Sequence, residues 1–514
     1  MKVDRSIAEG PGTAPSGTKP ASRLAITVVG LLLALAALAL YAASNPVHDN
    51  LYNHFVWQAD AFLHGRVWFP YPVEAGPNQP ANWYFQDVYP LLDAAGLPTG
   101  QVLIPFPPLP AIVLLPFVAV FGLFTDQDAV AIALGAVGVA AAWWALGSLR
   151  ISLVTRALVT ILFATGTVWW WAAAVGSTWY LAHLVAVPPA LLAVGVALRH
   201  DRDAEIDAGA TRDDGSSLAA PDTSEPDGDA SPDTIPDVPA PADGHGHRWG
   251  AILPLDRSQV LAGLLLGIAA TARLPIVFAA PFLMFVGGGG SVLRRTVSAA
   301  VGGVAPVSLL VLYTFLTTGS VIHPGYDYQY RLEVAGYPTL GYHADWSVED
   351  IRYIPQNLLV MLGELPAILP DVKPDTLGFE PSQPLCSAPG VTRQLFDPEC
   401  PIAIPIDIGT SLLLSAPGLL LALLAVGRRP LARLTLGAGI TTLVVATFNL
   451  AHFSQGWVQW GYRFSLDFIP FLLPLVAVGA ARRDGRPRAI AVVLVVVGAV
   501  VNLWGVTWGQ LLGW

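Results

Sequence analysis

Cysteine occurs twice and lysine three times in 514 residues, and charged side chains make up only 12% of the chain. Two cysteines, Cys386 and Cys400, cannot build a cysteine-ligated metal cluster, and no HExxH or CxxC spacing occurs. Soluble globular proteins carry about 25% charged residues, so the scarcity of charge argues against a water-soluble enzyme. Basic surface is also scarce. The formal net charge is −10, and residues 199–257 alone hold 14 Asp and Glu against 5 Arg. The remainder is near neutral, with no patch for nucleic acid.

What is abundant is apolar sequence, at 54% of residues. About 20 consecutive apolar residues cross a bilayer, and the chain contains many such runs. The first, Leu24 to Ser44, follows a tail (1–23) bearing Lys2, Arg5, Lys19 and Arg23. That places the N-terminus in the cytoplasm. Further spans are expected at 128–148, 155–174, 178–198, 296–316, 405–427, 431–449, 465–481 and 489–508. The stretch 259–287 reads as two short helices meeting at Arg273-Leu274-Pro275. The expectation is an all-α polytopic membrane protein of about eleven transmembrane segments, with interfacial helices in two large external loops. Arg150, Arg156, Arg199, Arg294, Arg295, Arg433, Arg482 and Arg488 share the cytoplasmic side only if the proline-rich run 104–123 does not cross; it is expected to lie in the outer interface.

This scheme divides the chain into an N-terminal membrane module (24–198) containing the first external loop (45–127). Then come an acidic cytoplasmic insert (199–257), a helical hairpin with the seventh helix (258–316), a second external loop (317–404) and C-terminal membrane helices (405–514). The insert is rich in Asp, Pro, Ser, Gly and Thr, and such a composition is expected to stay disordered.

Candidate functional residues gather in the external loops. Asp49 follows the first helix at the outer surface, either as a helix cap or as a reactive carboxylate. His54 and Asp60 lie on the amphipathic stretch behind it and are candidate substrate-binding residues, and Asp87 follows in NWYFQDVYP. Arg273, between two apolar segments, suits either a phosphate or a structural ion pair. His323, Tyr326, Asp327, Tyr328, Tyr330 and Arg331 crowd together after the seventh helix, the mixture a sugar or headgroup pocket needs. Residues 353–369 read as a further interfacial helix, and Cys386 and Cys400 are expected to form a disulfide. Arg463 is a basic residue on the outer side, to be neutralised either by Asp467 one turn later or by an external anion.

The ordered set of motifs resembles the GT-C membrane glycosyltransferases, family 39 and protein O-mannosyltransferase-like members, and is similar to the bacterial lipid A aminoarabinose transferases. The set comprises Asp49, ADAFLHGR (59–66), NWYFQDVYP (82–90), Phe106-Pro107-Pro108-Leu109, GLLLGIAATARLP (263–275) and the endings 417–429 and 460–474. Phe106 stands where the family has lysine, and His48-Asp49-Asn50 lacks the second acidic residue of many members. The resemblance implies transfer of a sugar from a polyprenyl-phosphate donor to a glycan, lipid or protein acceptor at the outer face of the plasma membrane. It implies Asp49 as the base and Arg273 at the lipid phosphate, with Arg463 or Arg331 in place of the missing lysine. It fixes no cofactor and leaves a divalent metal ion open. Two other readings stand beside it: a transporter or lipid flippase, and a non-catalytic membrane scaffold.

Overall fold

The computed structural model describes residues 22–48, 51–213, 255–336, 342–375, 382–426, 432–456 and 458–514. Asp49 lies outside the described residues, as does most of the acidic insert. The chain is mostly helical. α1 (Arg23–Ser44) is capped by the Ser22 hydroxyl and ends beside Asp128, whose carboxylate accepts from Asn45. α2 (His54–Leu63) follows, then the strands β1 (Phe69–Pro70), β2 (Tyr89–Leu92) and β3 (Pro98–Leu103), then α3 (Leu109–Phe121). The three strands pair antiparallel in the order β1-β3-β2. Trp57, Phe69, Phe85, Val102 and Ile104 fill the space between this sheet and α2. The sheet qualifies the all-α expectation.

The helices that follow run back and forth between two ends. They are α4 (Gln127–Leu146), α5 (Leu153–Thr165), α6 (Trp169–Val175), α7 (Thr178–Asp213), α8 (Arg257–Ala270), α9 (Ala280–Phe285) and α10 (Val292–Thr318). α11 (Gly325–Gly336) and α12 (Ile354–Gly363) belong to the second long connection, which also carries the short pair β4 (Ala367–Ile368) and β5 (Ala403–Ile404). α13 (Leu412–Ser415), α14 (Ala432–Ala451), α15 (Ile469–Ala480) and α16 (Ala489–Leu512) complete the chain. The Cys386–Cys400 disulfide closes a loop between β4 and β5, with 4.5 Å between the Cα atoms.

Among the described residues, six helices are long and apolar enough to cross a membrane: α1, α4, α7 to Asp201, α10, α14 and α16. α5 and α6, bent by 49°, form either a seventh, broken span or a re-entrant loop. The expected continuous helix 155–174 is therefore broken, at Gly166–Val168. The expected span 405–427 is α13 followed by a 3-10 segment, Pro417–Leu424, because Pro417 interrupts the α-helical ladder. α3, at 13 residues with Pro116 inside it, is about 20 Å long. The 259–287 stretch does break at Arg273, whose backbone is extended (φ −139°), before a 3-10 turn and α9. α12 covers less than the interfacial helix expected at 353–369.

Close packing follows from small residues. A Cβ on Gly302 of α10 would sit 1.9 Å from the Val260 carbonyl oxygen, and one on Gly263 of α8 2.0 Å from that of Ala299. Only glycine permits these two backbones to touch. Loops at one end of the bundle are held by arginines. Arg156 lies over Trp143 at 3.8 Å, Arg199 over Trp144 at 3.6 Å, and Arg433 pairs with Asp201 at 2.9 Å. The first-loop sheet, α11 and α12 sit at the opposite end.

Candidate functional site

The opposite end contains a cavity of about 520 Å³ between the first-loop sheet and α11, lined among others by Tyr71, Phe85, Asp87, Tyr328, Gln329 and Glu333. Asp87 reaches it from a strained backbone, φ +59°, a region that side-chain-bearing residues enter at a cost. Neighbours hold it there. The His54 ring stacks on Phe85 at 3.9 Å, and its Nε2–H donates to the Gln86 carbonyl at 2.6 Å. Nδ1 lies 3.1 Å from the oxygen of Thr178, whose hydroxyl donates to the Tyr52 carbonyl at 2.6 Å. Burial pushes the imidazole down to about 4, so the neutral ring is the form that positions this turn. The Trp179 indole N–H, at the start of α7, donates to Asp87 Oδ2 at 2.6 Å.

Two carboxyls face this cavity, and burial shifts both the same way. Burial raises Asp87 above the ordinary range, opposed by the Trp179 hydrogen bond and by the nearby charge of Arg463. Burial and then the charge of Asp87 push Glu333 up to about 8, again with Arg463 acting against the shift. Glu333 therefore favours its protonated, O–H donating form at neutral pH.

Arg463 lies within electrostatic reach of both carboxyls. It is only 8% exposed. The guanidinium lies beside Gly456, where a Cβ would be 3.0 Å from Cζ, and against the Tyr180 and Phe464 rings at 5.7 and 5.3 Å. It donates to the Tyr180 hydroxyl and is in no direct ion pair among the described residues.

Asp467 neutralises a different arginine. Residues 463–467 form a 3-10 turn, where 3.0 residues per turn put positions i and i+4 about 120° apart. The i,i+4 pairing expected of an α-helix is lost. Asp467 instead accepts from Arg273 Nε at 3.2 Å and Nη2 at 2.9 Å, and from Asn449 at 3.1 Å, with His183 Nδ1 at 3.2 Å. Of the two roles open to Arg273, the structure displays the ion pair. Arg273 and Arg463 nevertheless flank one ring, Phe464, at 5.4 and 5.3 Å.

The other expected residues divide. Tyr328 lines the cavity, edge-on to Tyr89 at 5.6 Å. Tyr326, pushed up to about 12 by burial, lies within electrostatic reach of both Arg273 and Asp87 and so joins the two halves of the site. Asp60 turns away, 3.4 Å from His64 and 4.0 Å from Arg66. Arg331 is exposed and pairs with Asp327 at 2.8 Å. Glu333 and Gln329 carried no signal in the sequence beyond membership of α11. No group of three or more His, Cys, Asp or Glu side chains is placed to hold a metal ion among the described residues. Comparison of the chain with models of protein families, with curated proteins and with solved structures finds no match in any of the three.

Proposed function

We propose that the protein is a GT-C-type glycosyltransferase that moves a sugar from a polyprenyl-phosphate donor to an envelope acceptor at the extracytoplasmic face of the plasma membrane. In this reading the N-terminus and the arginine-rich end are cytoplasmic. Eleven membrane segments result when the α5–α6 pair, α8, the 274–285 stretch, the 412–424 stretch and α15 each count as a span beside the six longer ones.

The observation that carries the reading is Arg463: a buried guanidinium without an ion-pair partner among the described residues, within electrostatic reach of Asp87 and Glu333, which line the cavity. Sugar transfer from a lipid phosphate needs both kinds of group. An acceptor hydroxyl gives its proton to a carboxylate as its oxygen bonds to the anomeric carbon. The bond from that carbon to the phosphate oxygen breaks, its electron pair stays on the phosphate, and a fixed cation stabilises the charge. Arg463 fills the last role with a planar fork suited to phosphate. Asp49 or Asp87 serves as the base. Arg273, with its fork on Asp467, holds the Phe464 turn that carries Arg463.

Transport is favoured by a different observation. Buried His183 and Asp467 and half-buried Arg273 form an ionisable trio where helices are broken, an arrangement also found along substrate pathways. The two readings separate in nanodiscs carrying a radiolabelled polyprenyl-phosphate sugar and a cell-envelope extract. Transfer of label to an acceptor, abolished by Asp49→Asn or Asp87→Asn, supports the transferase. Movement of intact labelled lipid across proteoliposomes without release of polyprenyl phosphate supports transport.

A further inference from the structure

The lining of the sheet–α11 cavity carries polar groups of its own. Gln329 and Glu333 sit one turn apart on α11, and Gln329 Nε2 and Glu333 Oε2 are buried without hydrogen-bond partners among the described residues. Gln329 is only 8% exposed, so its Nε2 has no solvent to donate to. Such groups are costly to leave unpaired and mark where a ligand atom belongs. Across the cavity, Asp87 offers an acceptor whose Oδ2 alone is engaged by Trp179. Tyr71 and Tyr328 add aromatic rings to the same wall.

The charge around this space is close to balanced. Burial favours the protonated form of both carboxyls, and the charge of Arg463 within electrostatic reach acts against each shift. A phosphorylated ligand would meet two carboxyls here. A hydrocarbon chain would leave the Gln329 amide and the Glu333 hydroxyl unpaired. An ammonium group would need Glu333 ionised.

We propose that the cavity binds an uncharged carbohydrate, with Gln329 and Glu333 donating to its hydroxyl oxygens, Asp87 accepting from a hydroxyl, and Tyr71 and Tyr328 packed on its C–H faces. The volume of about 520 Å³ suits a ligand of about one or two sugar rings. The donor glycosyl group and a sugar acceptor share this chemistry, and only the use made of the bound sugar rests on the transferase reading.

Saturation-transfer NMR on the full chain in nanodiscs tests this, with a neutral pentose, a neutral hexose, maltose, trehalose, glucosamine and glucose 6-phosphate as probes. At least one neutral sugar is expected to bind, glucose 6-phosphate not to compete with it, and glucosamine to bind no tighter. Gln329→Leu and Glu333→Leu are expected to weaken binding about tenfold, while Glu333→Gln, which keeps a neutral donor, stays within about threefold. Retained binding by Glu333→Gln also shows that the site is folded. Failure of every neutral sugar to bind, equal binding of glucose 6-phosphate, or indifference to Gln329→Leu overturns the proposal. In transfer assays, a raised KM for donor or for acceptor in Gln329→Leu identifies which sugar occupies the cavity. Transfer unchanged in both kcat and KM by Gln329→Leu removes the cavity but not the transferase. Sugar binding without any transfer does the reverse.

Discussion

Asp87 combines two features that rarely coincide without function: a left-handed backbone and a carboxyl raised by burial. Each separates experimentally. Asp87→Asn keeps a residue that tolerates this conformation, so transfer is expected to fall by about 10²-fold or more with thermal stability unchanged. Asp87→Gly relaxes the backbone and is expected to match or exceed wild-type stability while equally inactive. Loss of stability in both variants would make Asp87 a structural residue. Glu333 supplies a pH test. Its folded-state pKa is raised from the ordinary 4.5 to about 8. The stabilisation from its protonated form is therefore fully present below 4.5 and is lost as pH rises toward 8. Thermal unfolding of wild type and Glu333→Gln, followed across that interval, should show the variant gaining relative stability with rising pH. Parallel curves would place Glu333 in water, not in the cavity.

At the scale of elements, the α8–α10 crossing depends on two glycines and gives the firmest mutational expectation. Gly302→Val forces a side chain into the Val260 carbonyl and is expected to cost about 1–3 kcal/mol or more, read as lowered unfolding temperature and yield. Gly439 in α14 has open space, with nothing within 4 Å of the point where an added methyl group would stand. Gly439→Ala is therefore expected to be neutral or to stabilise by about 0.5–1 kcal/mol. Equal effects of the two substitutions would mean that α8 and α10 do not touch there. Elements also mark where sequence is readable. The long apolar helices and the break at Arg273-Leu274-Pro275 follow from composition and from a charge followed by proline. The first-loop sheet does not, because Pro70, Pro90 and Pro98 sit within strands of two to six residues that show no alternation. Nor does the pairing of Asp467, which turns on a 3-10 geometry that no local propensity announces. Glu333 is illegible for another reason: α11 carries Asp327 and Arg331 in the open, and only the sheet folding across it buries Glu333.

Across the whole molecule, arginines gather at one end and the sheet, cavity and disulfide at the other. Residues 97 and 484 are exposed at these two ends, and both native cysteines are in the disulfide, so single introduced thiols report sidedness cleanly. In intact cells a membrane-impermeant maleimide is expected to label Leu97→Cys and to spare Asp484→Cys until the membrane is permeabilised. The reverse pattern would invert the topology and move the cavity to the cytoplasm. With the cavity outside, the distribution of roles is consistent. Apolar helices supply the frame, the first loop aims Asp87, α11 brings Glu333, and the turn before α15 presents Arg463. The measurement closest to the centre of this arrangement is single-turnover transfer from a polyprenyl-phosphate sugar by folded Arg463→Ala protein in nanodiscs. The expected result is a loss of about 10²–10³-fold in the chemical step with donor still bound through its lipid. Transfer at the wild-type rate would contradict the assignment of Arg463 to the departing phosphate.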